Sequence, residues 1–299
     1  MSESPSLRLS QSAWLRVLHQ LIKKPGSLMG LLLLVVIVIA AVLAPWIAPQ
    51  NPYDLSQLDI TDGRLAPGAE SLSGMTFWLG SDDQGRDMLS AILYGTRISL
   101  WIGFCSSLLA LLIGTVFGIL SAWNGGRIDA FIMRIVDIQL SFPPILIALI
   151  LLTLFGQGAD KIILALVLTQ WAYYTRAVRG NAMVEMRRNY IAAAHTLALG
   201  RRRIMFRHLL PNCLSSLIVV ATLRVAYAIM LEATLSFLGI GLPVTQPSLG
   251  LLIANGFDYL LSGNYWISLF PGIVLLLLII AINLLGDALR DITNPQRES

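Results

Sequence analysis

Five stretches of this chain, residues 25–53, 98–126, 138–159, 233–257 and 259–286, contain no Asp, Glu, Lys or Arg. Each is at least as long as the roughly 20 residues that a helix needs to cross a bilayer. Backbone groups in hydrocarbon must pair within their own segment, so the parts that cross are helices and not loops. The rest of the composition agrees: 13% of residues are charged, against about 25% in soluble domains, and mean hydropathy is +0.73. A soluble enzyme, a disordered or collagen-like chain and a nucleic-acid partner are excluded.

The pattern predicts an all-α integral membrane protein with six spans, roughly Leu28–Ala48, Ile98–Trp123, Met133–Phe155, Ile162–Val178, Leu214–Leu238 and Ile267–Leu285. The fourth has a charge-free core of only Ile162–Thr175, so it needs Arg176 or Arg179 to snorkel to the interface, and five spans is the other reading. With both termini in the cytoplasm, only Arg64, Arg86, Arg97 and Lys161 of the 21 basic residues fall outside, Arg224 falls within a span, and the other 16 lie inside. That bias sets the orientation. The first apolar run exceeds the 7 to 15 residues of a secretory signal. Before it, Trp14, Leu15, Leu18, Leu21 and Ile22 share helical spacing, as in an interfacial helix on the inner leaflet, a solvated tail being the alternative. The organisation is therefore a tail over 1–24 and a transmembrane domain over 25–299, with outside segments at about 49–97 and 239–266 and an inside loop at about 179–213.

Several chemistries are missing from the sequence. It has no GxxxxGK[ST] phosphate loop and no Gly-Lys pair, so ATP would have to be hydrolysed by another polypeptide. Paired intramembrane Asp motifs, GxSxG and HExxH are absent, as is any Cys/His metal spacing around Cys105 and Cys213. The expectation is a non-catalytic chain without a cofactor of its own.

Within the spans, Arg224 lies near the middle of the fifth and Glu232 towards its outer end. Ionisable groups at that depth are costly unless they face a partner or a watery path. Both are therefore transport-path candidates, with a buried interhelical or intersubunit contact as the alternative. Eight residues put Glu232 about 80° round from Arg224, so the two do not pair. Tyr227, one turn from Arg224, shares its face. Asp137 follows Arg134 by three residues near a span end, which predicts an i, i+3 ion pair.

Residues 183–211 read as a helix to about Leu199, a break at Gly200 and a short second helix from Arg201 stopping before Pro211. Small and apolar residues among arginines on an inside loop suit docking into another protein's groove, with contact to anionic lipid as the alternative.

At this point the chain resembles the permease subunits of ATP-binding-cassette importers of the peptide/nickel/opine type, second permease subfamily. Tyr190 to Asn212 is similar to the family's EAA loop: Ala192, Ala193 and Ala194 stand at the Glu-Ala-Ala positions and Ala198 where its Gly is usual. The acidic residue is thus missing, and the bend falls to either Ala198 or Gly200, a choice that the sequence leaves open. Leu79–Asp87 with Tyr94–Leu100, Gly125–Asp129 with Met133–Asp137, Leu231–Gly241 and Asn283–Asp291 match other family segments in order, while Leu249-Gly250 and Asn294-Pro295 replace its Trp-Gly and Asp-Pro.

The resemblance implies the type I ABC importer transmembrane fold with coupling helices, in a bacterial inner membrane. It implies a paralogous permease, two ATP-binding subunits that hold ATP and Mg, and a periplasmic binding protein as partners. It also implies ATPase contacts through Tyr190, Ala192, Ala193, Ala194, Ala198, Gly200, Arg203, Arg207, His208 and Pro211. The expected cargo is a di- or oligopeptide, with a nickel chelate, an opine, glutathione or an antimicrobial peptide as alternatives. An ion-coupled secondary transporter is the rival from another class, although no midplane carboxylate supports it.

Overall fold

The computed structural model describes Leu21, residues 24–71 and residues 74–293. The expected interfacial helix at the N-terminus, Leu21 apart, lies outside them. The chain is mainly helical: α1 (Pro25–Ile47), α2 (Met88–Asn124), α3 (Gly126–Leu140), α4 (Pro144–Phe155), α5 (Ala159–Glu185), α6 (Asn189–Thr196), α7 (Arg201–Ile204), α8 (Leu210–Phe237), α9 (Leu249–Phe257) and α10 (Trp266–Thr293). A two-stranded antiparallel pair, β1 (Ala69–Glu70) and β2 (Thr76–Phe77), sits in the connection from α1 to α2.

Four helices among the described residues are long and apolar enough to cross a membrane: Pro25–Ile47, Met88–Asn124, Leu217–Phe237 and Trp266–Ile292. The expected third span is not one continuous helix. It breaks into α3 and α4, which meet at 86°. Pro143 and Pro144 cause the break, since neither has a backbone N–H to donate and each disfavours helical backbone at the residue before it. Counted as one bent span, α3 and α4 bring the candidate crossings among the described residues to five. The remaining helix, α5, has 27 residues but is less apolar. Its Arg176 and Arg179 both find carboxylate partners on α3. Arg179 grips Asp129 of α3 with two bonds, Nε to Oδ1 and Nη2 to Oδ2, each 2.6 Å, and Arg176 pairs with Asp137. Asp137 therefore reaches across to α5 and not back to Arg134, because a partner that faces it directly wins over one along its own helix.

At 37 residues α2 is the longest element, about 55 Å at 1.5 Å per residue. It starts ten residues before the expected span because Asp87 caps it, accepting from the Ser90 N–H at 2.8 Å. Two glycines fix its contact with α5. A Cβ on Gly114 would lie 2.3 Å from Tyr174 Cβ, and one on Gly118 2.6 Å from Val178 Cβ, so only a small-xxx-small face allows these backbones so close. Around α2 the core divides into layers: Met88, Ile92, Ile229, Leu252 and Ile282 towards the α1–α2 connection, and Ile119, Val178, Ile191, Ile204 and Leu217 towards the arginine-rich loop at the other end.

The α1–α2 connection is anchored rather than loose. Arg86 is 0% exposed, packed beside Asp82 at 3.7 Å, and its Nη2 donates to the Val244 carbonyl at 2.8 Å. The Trp266 indole N–H donates to the Ser81 carbonyl at 3.1 Å, tying the same turn to the start of α10. Desolvation pushes the Asp82 carboxyl up to about 6 despite the adjacent guanidinium.

Candidate coupling surface and transport path

The arginine-rich loop is the first candidate site. It is held by packing: Ile191, Ala194, Ile204 and Leu209 are buried against Ile119 of α2, Val178 of α5 and Leu217 of α8. The three consecutive alanines thus divide, with Ala194 turned inward while Ala192 and Ala193 are exposed on α6. Leu197, four residues after Ala193 and so on its face, is 72% exposed, and Phe206 is 59% exposed. Arg203, Arg207 and Pro211 are exposed and His208 is half-buried. The Tyr190 hydroxyl donates to Glu185 at 2.7 Å, and burial followed by that acid pushes it up to about 12. Tyr190 is thereby tied to its own chain.

The structure decides between Ala198 and Gly200 and corrects the end of the second helix. The bend is not at Gly200, whose φ of −60° any residue can adopt. Ala198 makes it, with φ +52°, the left-handed conformation that a Cβ disfavours. The second helix also does not stop before Pro211. It runs through a single π-turn at Met205–Leu209 directly into α8, with Pro211 in the first turn of that helix. A widened turn is how a helix absorbs a proline that cannot donate to the preceding turn. The Asn212 side chain caps the distortion, donating to the His208 carbonyl at 2.7 Å.

The second candidate site is on the middle of α8. The Arg224 guanidinium lies 3.8 Å from the ring centre of Tyr173 on α5 and 5.4 Å from that of Tyr227 on its own helix. Arg224, Tyr173 and Tyr227 are all half-exposed. Among the described residues no carboxylate pairs with Arg224. A cation stacked on rings keeps its N–H edges free, so it can still bond an anion or a carbonyl in the plane of the guanidinium. Glu232 is placed differently. It is 0% exposed and accepts from the Ser99 hydroxyl at 2.9 Å and the Ser236 hydroxyl at 2.8 Å, bracing α8 against α2. The structure brings Arg224 and Tyr227 together, and it separates Glu232 from them.

The sequence reading missed Tyr173, Leu197 and Phe206. Leu197 and Phe206 carried a signal, as apolar residues in a segment full of arginine. Tyr173 carried none, because its pairing with Arg224 crosses from α5 to α8.

Residues 114–299 match the family of binding-protein-dependent transport system inner membrane components, and residues 12–67 match the N-terminal transmembrane domain of oligopeptide transport permease C. The chain is 38% identical over 279 residues to the dipeptide transport system permease protein DppC of Escherichia coli K12, covering 93% of this chain and 91% of that one. It is 37% identical over 272 residues to the di/tripeptide transport system permease protein DppC of Pseudomonas aeruginosa, covering 91% and 88%. With the dipeptide transport system permease protein DppC of Bacillus subtilis it shares 35% over 292 residues, covering 98% and 87%. Among solved structures, an inward-facing form of the MetNI methionine ABC transporter has a chain that superposes with a TM-score of 0.58 at 22% identity, covering 69% of this chain and 98% of that one.

Proposed function

From the premise that this chain belongs to the family of binding-protein-dependent transport system inner membrane components, we propose that it is the permease subunit through which an ATP-driven importer passes short peptides. Its fold is that of a type I ABC importer transmembrane domain. A paralogous permease completes the path, two ATP-binding subunits hold ATP and Mg and perform the hydrolysis, and a periplasmic binding protein delivers the peptide. This chain contributes no cofactor and no catalysis. It sits in a bacterial inner membrane, with the arginine-rich loop in the cytoplasm and the α1–α2 connection outside, as the distribution of basic residues favours.

The observation that carries the coupling role is the make-up of the arginine-rich loop. Ala193 and Leu197 are exposed on it, Arg203 and Arg207 are exposed a few residues further along, and its buried residues are locked to the ends of α2, α5 and α8. An apolar patch fringed by cations, rigidly joined to spanning helices, suits a groove with an acidic rim and passes that partner's movement to the membrane helices. In the path, Arg224 between Tyr173 and Tyr227 offers passing peptide carboxylates and carbonyls a positive, aromatic surface. Midway along a span, a half-exposed cation without a carboxylate faces a partner or water rather than lipid.

Ala193→Asp in the assembled transporter tests the coupling role. A charge placed on the docking face is expected to leave insertion and complex assembly intact, to leave ATP hydrolysis running, and to stop uptake. Uptake at the wild-type rate in that variant overturns the coupling assignment.

A further inference from the structure

Between α1 and α2 runs a groove of about 670 Å³ whose walls include Val38, Val42, Leu100, Trp101 and Phe104 and whose polar rim is Arg97 with Tyr53. A second cavity of about 370 Å³ shares Val38, Leu100 and Phe104 with it and continues the slot to Leu111 and Leu217. From Arg97 to Leu111 the slot follows α2 for about 21 Å, more than the roughly 15 Å depth of one leaflet's hydrocarbon. Both walls are helices long and apolar enough to span, so the slot lies at membrane depth.

Its height in the bilayer follows from α2. Arg97 and Asn124 are separated by about 40 Å of helix, the thickness of a bilayer with its headgroups. If Asn124, next to the arginine-rich loop, marks one surface, Arg97 lies in the headgroup layer of the other. Two neighbours fit that level. Trp101, one turn further along the helix, is 62% exposed, and the Tyr53 ring packs edge-on against Tyr94 at 5.1 Å, both amphipathic rings of the kind found at the membrane interface. Arg97 itself is exposed, and among the described residues no carboxylate lies within ion-pair distance of it. The described residues therefore leave its guanidinium open to an anion from the headgroup layer.

We propose that this groove holds a glycerophospholipid, its phosphodiester on the Arg97 guanidinium and an acyl chain laid along Val38, Leu100 and Phe104. The match has three parts: an anion site at headgroup height, an apolar slot leading from it towards the bilayer centre, and a depth sufficient for a full acyl chain. A helix of the partner permease bearing a carboxylate is the competing occupant.

The test uses the complete transporter in nanodiscs containing phosphatidylethanolamine and a tracer of phosphatidylglycerol with a photoreactive acyl chain. After irradiation, the lipid adducts are mapped by mass spectrometry. Adducts on residues 38–42 and 100–104 are expected to exceed those on the comparably exposed Leu276 of α10 severalfold. Arg97→Gln is expected to lower the groove adducts severalfold without changing those at Leu276. Val42→Trp, which fills the slot from an exposed wall, should do the same. Equal labelling of the groove and Leu276 would reduce the site to ordinary surrounding lipid. An unlabelled groove in the assembled complex would give it to the partner permease. Either result, or indifference to Arg97→Gln, overturns the proposal.

Discussion

Replacing Arg224 with leucine separates a transport role from a structural one because the two roles predict opposite signs. The wild-type residue carries its charge midway along α8, where a lone Arg costs about 2.5–3.5 kcal/mol on insertion scales. It recovers part of that from the rings of Tyr173 at 3.8 Å and Tyr227 at 5.4 Å, each contact contributing about 0.5–2 kcal/mol. No described carboxylate is stranded by its removal. The two contacts together, about 1–4 kcal/mol, roughly offset that cost, so Arg224→Leu should be close to wild type in stability and co-purify with its partner subunits in normal yield. Transport should fall nonetheless. A charge-assisted hydrogen bond to a peptide carboxylate contributes about 1.5–3 kcal/mol, roughly a 10- to 100-fold loss in uptake efficiency. Arg224→Lys keeps the cation but loses the flat stacking surface, and should fall between the two. The assay is dipeptide uptake beside co-purification of the complex. Failure of Arg224→Leu to assemble would make the residue an interhelical or intersubunit brace, and unchanged uptake would show that it does not meet the substrate.

Other consequences are equally specific. Ala198→Gly relieves a left-handed φ at a site open enough for either residue, so hydrogen exchange in residues 189–204 should slow slightly, by about 0.5–1 kcal/mol; Ala198→Val should speed it, and the reverse order would refute the backbone reading. Because the folded Asp82 carboxyl binds its proton up to about pH 6, above its ordinary value of 3.8, the native state holds more protons than the unfolded one in that window, and stability of the α1–α2 connection should fall by about 3 kcal/mol as pH rises through it. Amide exchange over residues 62–90, corrected for its intrinsic pH dependence, checks this; protection that grows with pH would show the Arg86 pair to dominate. Gly114→Leu places a side chain against Thr175 N at 2.9 Å and Tyr174 Cβ at 2.3 Å, so α2 and α5 must separate and the complex should be lost; normal yield would contradict so tight a crossing. For topology, a cysteine at Glu70, which is exposed where neighbouring Ser71 is buried on Asp62, should react with an impermeant thiol reagent from outside, and one at Arg202 only once the cytoplasmic side is opened; the opposite pattern would invert the orientation.

What the sequence disclosed and what it concealed follow from the range of the interactions involved. Charge-free runs and local spacing placed α1, α2, α8 and α10 and put Tyr227 beside Arg224, because these features are set within one helix. The break at Pro143-Pro144 was also written locally, but a run of 22 residues without a charge masked it. Pro211 misled in the other direction: a π-turn at Met205–Leu209 let the helix pass a residue that ordinarily ends one. The pairing of Arg179 with Asp129 spans 50 residues and that of Ser99 with Glu232 spans 133, distances over which no local pattern reports contact. The same holds for Ala198. The fold, not its own side chain, imposes its backbone, and the nearby glycine kept the choice open in the sequence.

The central claim is that peptide movement through this chain is driven by ATP on partner subunits and not by an ion gradient. The direct measurement is labelled dipeptide uptake into proteoliposomes holding the full complex, with binding protein outside and ATP inside, scored with and without ionophores that collapse the proton and sodium gradients. The account predicts uptake that requires both ATP and the binding protein and that persists when the gradients are gone. Uptake that continues without ATP and stops when the gradients collapse would contradict it.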